Sequence, residues 1–487
     1  MKKVVAYIFA FTVLTNVSFA QNEFDVLRYS TLDHHGDARF NAMGGSFGAL
    51  GANLSALSIN PGGLGVYKSS DFSFTPSFHY NYSESNKDGN SVTDGKLNLH
   101  FSNIGLAGNF ARNGDWKSVN IAIGYNRLSN YNTSISIKSN TSNSLLNAYT
   151  SELSANGGTY EEDIPGLFPF SSNLAYQTYL VNPLINGGVE YDHVFENSKN
   201  IKQSTRYETR GGSGEMYFAL GSNYSDKLYI GALIGIPTVK YVYDRDYTEV
   251  SDPSDTLTEF KSFSVHDYVR TTGTGVNLKL GMIYKIADWF RVGTAFHTPT
   301  VYSLSDQWST TVSSENKSGE VLSEGSPLGN FEYFVTTPYR LVGSAAFIVG
   351  KHGVINGDFE VVDYSTARIK EDNAFGSADF SNENQNVRDN FRLTHNIRVG
   401  TEWRLDPFRL RAGYRFQGDQ LKNNFNVDNS SSTYSFGVGV KQEDYYFDMS
   451  YALKLRKAES AIVGDQNDFA SVNLKDHYIS MTLGFRF

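Results

Sequence analysis

From Asp71 onward, apolar and polar side chains alternate along segments of about ten residues. In residues 72–82, Phe72, Phe74, Phe78, Tyr80 and Tyr82 hold one parity and Ser73, Thr75, Ser77, His79 and Asn81 the other. Residues 408–416 set Phe408, Leu410, Ala412, Tyr414 and Phe416 against Arg409, Arg411 and Arg415. Residues 445–456 set Tyr445, Phe447, Met449, Tyr451, Leu453 and Leu455 against Asp448, Ser450, Lys454 and Arg456. Period two with one apolar face predicts strands that touch something apolar on one side only.

A soluble sandwich would give the same alternation, so the connections decide. Very short ones fall at Asn113-Gly114-Asp115, Ser225-Asp226-Lys227, Ala287-Asp288, Lys351-His352-Gly353, Asp406-Pro407 and Glu443-Asp444, with long polar stretches such as 305–336 and 365–390 between them. Short turns on one side, long loops on the other and aromatic residues at strand ends fit a transmembrane barrel. Ile479, Met481, Leu483, Phe485 and Phe487 share a face of the last strand, and a C-terminal aromatic there resembles the signal read by the outer-membrane assembly machinery. The pattern predicts an all-β fold, an antiparallel barrel of about fourteen strands. They are expected near 71–83, 97–110, 118–128, 214–224, 228–246, 262–286, 289–303, 338–351, 353–364, 391–405, 408–417, 432–442, 445–457 and 475–487.

Two regions depart from the pattern. Residues 21–70 are rich in Gly and Ala, with a helical fragment expected at 49–59 around Leu50, Leu54 and Leu57. Residues 129–210 form an insertion longer than ordinary loops, expected on the extracellular side of a barrel that runs from 71 to 487. It carries a helix-like piece (Leu145, Leu146, Ala148, Tyr149, Leu153), a Pro/Phe segment at 164–170 and an apolar stretch at 174–185. Within the second strand the apolar parity flips, from Leu97, Leu99 and Phe101 to Ile104, Leu106 and Phe110. One extra residue restores the register, which predicts a β-bulge at Ser102-Asn103. Bulges break wall hydrogen bonding, so these two residues are a candidate lateral opening.

Composition agrees. The chain has 34 Phe, 31 Tyr and 44 Gly but only 11 Pro, and no Cys. The missing cysteine excludes disulfides, thiolate metal sites, a cysteine nucleophile and a lipidated N-terminus. The net charge of −9 is spread along the chain and leaves no basic face, so no nucleic-acid partner is expected. Residues 1–20 read as a cleaved signal peptide: Lys2 and Lys3, an apolar run at 4–13 too short to span, then Ser18 and Ala20 before Gln21. Beyond it no run of about 18 apolar residues occurs, so only strands could cross a membrane.

Candidate chemistry is sparse. His395 shares the outward parity of Leu393, Ile397 and Val399, but no serine faces it, and an interfacial histidine is preferred to a lipid hydrolase. His34 and His35 are adjacent and cannot share a face. They read as solvated residues of the N-terminal segment, with heme-iron ligation as the alternative. No catalytic residue, metal site or cofactor is expected. Arg392, Arg398, Arg404, Arg409, Arg411 and Arg415 fall on polar faces of consecutive strands, near Asp358, Glu360 and Asp448. They predict a lumenal ion-pair network. Arg398 and Arg411 are candidates to hold a ligand carboxylate through the bidentate guanidinium.

The N-terminal segment carries a resemblance. Residues 37–51, Asp-Ala-Arg-Phe-Asn-Ala-Met-Gly-Gly-Ser-Phe-Gly-Ala-Leu-Gly, lead into 54–64, Leu-Ser-Ala-Leu-Ser-Ile-Asn-Pro-Gly-Gly-Leu. Arg39, Gly44-Gly45, Ser55-Ala56 and Asn60-Pro61 match the hatch of the FadL/TodX family of outer-membrane transporters for long-chain fatty acids and hydrophobic compounds, with Gly62 in place of the family's usual Ala. The likeness is strongest to the Bacteroidetes branch, some members of which are labelled hemin receptors. In detail it covers about residues 36–75. It implies a lumen plugged by residues 21–70, with Asn60, Pro61 and Gly62 as gating residues. It also implies passive transport of a hydrophobic small molecule. Apolar residues of the insertion (Leu145, Leu146, Tyr149, Leu167, Phe168, Phe170, Tyr176 and Tyr179) are the candidate ligand-binding set, since exposed apolar surface usually binds something. Outer-membrane lipids and the assembly machinery are the other expected partners. The alternatives are a hemin or surface-ligand receptor without transport, a general porin and a barrel lipid hydrolase.

Overall fold

A computed structural model describes residues 22–371, 379–422, 428–461 and 469–487. The expected signal peptide and Gln21 lie outside the described residues. No described helix is long and apolar enough to cross a membrane.

Fourteen antiparallel wall strands close into one barrel. In chain order they are Asp71–Lys87, Asn90–Ala111, Trp116–Asn130 continued by Thr133–Thr141, Ile201–Tyr224, Leu228–Val250, Phe260–Ala287, Phe290–His297 continued by Val301–Asn316, Gly329–Thr336 continued by Arg340–Val349, Gly353–Asp363 continued by Arg368–Glu371, Leu393–Leu405, Phe408–Gln417, Ser431–Lys441, Tyr445–Ala461 and Phe469–Arg486. The first pairs with the last, from Asp71↔Arg486 to Asn86↔Ser471, which leaves no sheet edge along the closure. Every expected strand is present. Apolar residues face out: Phe78, Leu99, Ile121, Phe218, Ile234, Leu280, Phe347, Phe436 and Leu483 are exposed on the outer surface, while Ser77, His79, Asn81, Asn120 and Thr482 are buried inside. An exposed apolar belt around a polar interior is stable only in lipid.

Residues 22–70 fill the lumen. They form helices Glu23–Ser30 and Ala38–Ala42 and 3-10 turns Ser55–Ser58 and Pro61–Val66. Asn22 caps the first helix in a capping box with Asp25. The helix expected at 49–59 is absent. Gly51 and Ala52 have φ of 67° and 52°, which ends any right-handed helix there and leaves only the short 3-10 turn beyond.

Two other expectations are corrected. The insertion narrows to residues 142–200, because Thr133–Thr141 pairs with Ile201–Thr209 and continues the wall outward. Residues 305–336 are mostly strand rather than loop: Val301–Asn316 pairs with the sixth strand, and Gly329–Thr336 pairs back onto it. Outside the lipid both faces of a strand meet water or polar partners, so the apolar alternation that marks a strand fades.

A line of interruptions crosses the wall from the fifth strand to the ninth. The fifth–sixth ladder stops at Gly235↔Asn277 and resumes at Thr238↔Thr274. The seventh strand breaks at 298–300 and the eighth at 337–339, at the same height. Pro237, Pro299 and Pro338 sit in these breaks, each lacking the N–H a ladder needs. Threonine hydroxyls stitch the gap: Leu278 N donates to Thr298 Oγ1 (3.0 Å) and Thr300 N to Thr337 Oγ1 (2.9 Å).

Candidate functional site: the plugged lumen and the wall beside it

The plug is held by polar groups on one side. Arg39 donates to Glu402 (Nε to Oε2, 2.7 Å), which also accepts from Arg411 (2.8 Å), and Arg411 reaches Asp448 (2.7 Å). Asp358 accepts from the backbone N–H groups of Phe47 and Gly48. Glu360 pairs with Arg398 (2.6 Å) and Arg340 (2.9 Å), and Arg340 also donates to the Ser30 carbonyl. Arg415 donates to the carbonyls of Asp33, His34 and Gly44. The expected lumenal network is present for Arg398, Arg411 and Arg415, whereas Arg404 is exposed, Arg409 pairs with Asp406 in a short turn and Arg392 with Asp419 in a loop, because their ends of the strands lie beyond the plug. Arg398 and Arg411, singled out as carboxylate holders, are both buried in these pairs.

The opposite side of the plug is held by shape. Asn60 caps the turn Pro61–Val66 by accepting from Gly62 N (2.9 Å), and its amide donates to the carbonyls of Gly48 (2.6 Å) and Met282 (3.1 Å). This is the tight turn expected of Asn60-Pro61-Gly62. A Cβ on Gly62 would lie 2.7 Å from the Met282 Cα, so only glycine lets the turn touch the wall backbone. His297, missed in the sequence, places Nε2 2.9 Å from the Ile59 carbonyl and ties the same turn to the seventh strand.

The wall ladder is interrupted beside the plug. Thr75 pairs with Asn103 and Pro76 with Phe101, so Ser102 is the extra residue of the expected bulge. The second strand pairs with the third only from Asn103↔Asn126 to Ala111↔Ser118, which leaves residues 90–102 without a ladder on that side. The third strand turns inward instead, and plug residues take its freed carbonyls: Asp33 and His34 N–H donate to Leu128, and His35 N–H to Arg127 (2.8–2.9 Å). The His35 ring lies between Tyr478 (4.7 Å between centroids) and His100 (6.2 Å), behind the gap.

His34 and His35 are thus not solvated. His34 is 2% exposed with neither ring nitrogen bonded, and burial pushes it well below its usual pKa, while His35 is pushed down to about 3 by the same cause. Neither is placed to meet an incoming heme. Lys454 beside Asp33 holds that carboxyl below its usual value. His395 does face outward, stacked on Phe359 (5.2 Å). Among the described residues, Asp244, Asp246 and His266 on the strand extensions below the cap could surround a cation, but Arg210 already occupies Asp244 (2.9 Å).

Residues 142–200 fold into a cap over the mouth of the barrel opposite the short turns. Leu145, Leu146 and Tyr149 lie in its buried core, with Tyr247, Phe263, Val312 and Leu474 of the strand extensions. Glu249 pins the cap by accepting from Ser144 Oγ (2.6 Å) and Leu145 N (2.7 Å). The three residues build the cap rather than offering surface. Leu167 and Tyr179 are exposed, Phe168 and Phe170 half-buried, and Phe170 meets Trp308 of the seventh strand at 5.8 Å. Tyr176 is engaged with Glu161 (2.5 Å). Exposed Leu184 and Ile185, at a hairpin tip, extend this apolar surface.

No family model matches the chain, and no curated protein matches it in sequence. Solved structures match its fold over nearly its whole length. A Pseudomonas aeruginosa FadL homologue is 10% identical, covers 93% of this chain and 98% of its own, and gives a TM-score of 0.54. The P. putida toluene transporter TodX is 13% identical, with 93% and 99% covered and a TM-score of 0.51. A deltaS2 mutant of the TodX monoaromatic hydrocarbon channel is 12% identical, with 94% and 99% covered and a TM-score of 0.54. The barrel expected from the hatch resemblance is borne out as the fold of these proteins.

Proposed function

We propose that this chain sits in the outer membrane and carries hydrophobic small molecules across it passively. The fold it shares with a toluene transporter and a FadL homologue supports this reading. One observation supports it: the second strand loses its ladder to the third beyond Asn103, and plug residues 33–35 take carbonyls of the third strand there, so movement of the plug would uncover a side opening. A molecule too apolar to cross water need then never leave a greasy surface. It would land on the cap near Leu167, Phe168, Phe170 and Tyr179, descend past the plug when the Asn60-Pro61-Gly62 turn shifts, and leave sideways past Leu97, Leu99 and Phe101.

A porin is disfavoured because a filled lumen passes no ions. Proteoliposomes test both points. The reconstituted protein should show no steady ion conductance, yet should speed the uptake of labelled dodecane over protein-free vesicles. Steady porin-like conductance, or uptake no faster than in empty vesicles, sinks the transport reading. Binding without uptake would support a receptor.

A further inference from the structure

The outer face of the wall changes character where the apolar belt ends on the cap side. On the fourth, fifth and sixth strands the outward residues run from apolar to basic. Phe218 and Met216 lead to Arg210, Ile234 and Ile236 to Lys240, and Leu278 and Val276 to Arg270. Each basic residue keeps the parity of the exposed apolar ones below it, so it stands on the lipid-facing side. The register brings the three together. Val242 pairs with both Arg210 and Arg270, and Lys240 lies two residues away on the strand between them. Two strand spacings put the Arg210 and Arg270 Cα atoms about 10 Å apart, with Lys240 about 7 Å along the middle strand from their line. Arg127 borders the same patch: its guanidinium lies over Gly212, opposite Lys240, and donates to the Gly211 carbonyl (2.7 Å).

Carboxylates answer these cations only in part. Arg210 pairs with Asp244 (2.9 Å) and lies 3.5 Å from Glu208, both one row farther from the belt. Lys240 and Arg270 have no ion-pair partner among the described residues. Like charges gathered on one face repel, and an anion between them removes the cost. At the same end of the tenth to twelfth strands the outward residues are Leu393, His395, Phe416, Ser432 and Tyr434, with no Lys or Arg, so the basic row is not a girdle all round the barrel. Its occupant must be anionic and must sit where lipid head groups sit. A carboxylate brings one charge and two oxygens. A phosphate brings more charge and more acceptor oxygens to cations spread over this width, and guanidinium groups bind it in bidentate fashion. Exposed Ile234, Ile236, Val276 and Leu278, directly below, are placed for the acyl chains of the same molecule.

We propose that this patch binds the phosphate head group of an anionic lipid in the leaflet on the cap side. The inference needs the barrel to sit in a membrane and does not need it to transport anything. Native mass spectrometry of the full-length protein in detergent tests it with diphosphorylated lipid A, its fully dephosphorylated counterpart and pyrophosphate. Lipid A should bind about thirtyfold more tightly than the dephosphorylated form, the worth of the two unpaired cations at about fivefold each. Lys240→Gln or Arg270→Gln should each cost about fivefold, and the double variant should erase most of the preference. Both side chains are exposed, so the variants should keep the barrel's shift on an unheated gel. Lys457→Gln, at an exposed position of the thirteenth strand, should leave the preference intact. Equal wild-type affinity for the two lipids, full preference in the double variant, or an equal loss from Lys457→Gln overturns the proposal. Pyrophosphate binding as tightly as lipid A also overturns it, because the occupant would then be a free anion.

Discussion

The two sides of the plug are fastened by opposite means. Toward strands ten to fourteen, helix Ala38–Ala42 and its neighbours meet carboxylates, guanidinium groups and hydroxyls: Arg39 with Glu402, Asp33 with Lys454, Asn41 with Ser480, Ala38 N–H with Thr482. Toward strands two to six, Leu54, Leu57 and Leu64 pack on Ala107, Ala122, Ala219 and Leu233, and the turn Pro61–Val66 lies against wall glycines. A Cβ on Gly231 would lie 2.1 Å from the Pro61 carbonyl oxygen. The charged side depends on pairing and desolvation and can be weakened by degrees. The close-packed side depends on backbone contact and fails all at once. Under the proposed transport, a plug that moves without leaking would be well served by one side that gives first.

The largest effect should come from filling the close-packed side. Gly62→Trp or Gly231→Leu has no room and must displace the turn, while the wall strands pair independently of it. Ion conductance in planar bilayers should rise from closed to steadily open, dodecane uptake should change with it, and the barrel should still shift on an unheated gel. A folded Gly62→Trp barrel with wild-type conductance and uptake would deny the turn its gating role. On the charged side, Glu402→Leu should act more gently. It leaves Arg39 without its carboxylate and Arg411 with Asp448 alone, which should cost about 3–5 kcal/mol of plug docking. The chain has no cysteine, so a single Met43→Cys reporter can measure this as faster thiol labelling. Unchanged labelling would mean that the pair does not fasten the plug.

How far the sequence exposed this arrangement follows from its physics. A wall strand has lipid on one face and polar groups on the other, so its alternation is written in the sequence, and the parity flip at Phe101 to Ile104 located the bulge. The hatch turn was legible because Asn60-Pro61-Gly62 is local chemistry. The contacts that hold the plug were not. Glu402 is hundreds of residues from Arg39, and residues 22–70 have no period to say which face meets which strand. His34 and His35 were misread as solvated because adjacency says nothing about burial. The proline line left a trace, Pro237, Pro299 and Pro338 on the fifth, seventh and eighth strands, but their common height emerges only from the register.

Acid should loosen the plug next. His34 and His35 are kept neutral by burial, His35 down to about pH 3. Released from the lumen, each would titrate near pH 6.5. Above that value both states are neutral and nothing changes. As pH falls below it, only the released plug gains protons, so docking weakens by about 1.4 kcal/mol per imidazole at pH 5.5. Asp33 titrates below this window in the docked state and does not offset the effect. Labelling of Met43→Cys should accelerate between pH 7 and pH 5.5, and His34→Gln with His35→Gln should flatten the profile. A profile that stays steep in the double variant would move the pH sensor elsewhere.

Salt should do least, and that sharpens the contrast between the two sides. At 1 M ionic strength the screening length is about 3 Å, enough to erase attraction between exposed charges. The pairs that fasten the plug are not exposed. In Arg39–Glu402 the side chains are 18% and 4% exposed and in Lys454–Asp33 13% and 14%, so most of each pair is shielded from salt. The glycine side carries no charge to screen. Thiol labelling of Met43→Cys should therefore change less than about twofold between 0.1 M and 1 M KCl, whereas Glu402→Leu changes it greatly. If salt alone released the plug as fast as Glu402→Leu does, the ion pairs would have to be open to solvent. The charged side would then be a loose surface latch, and the order in which the two sides give way would have to be reversed.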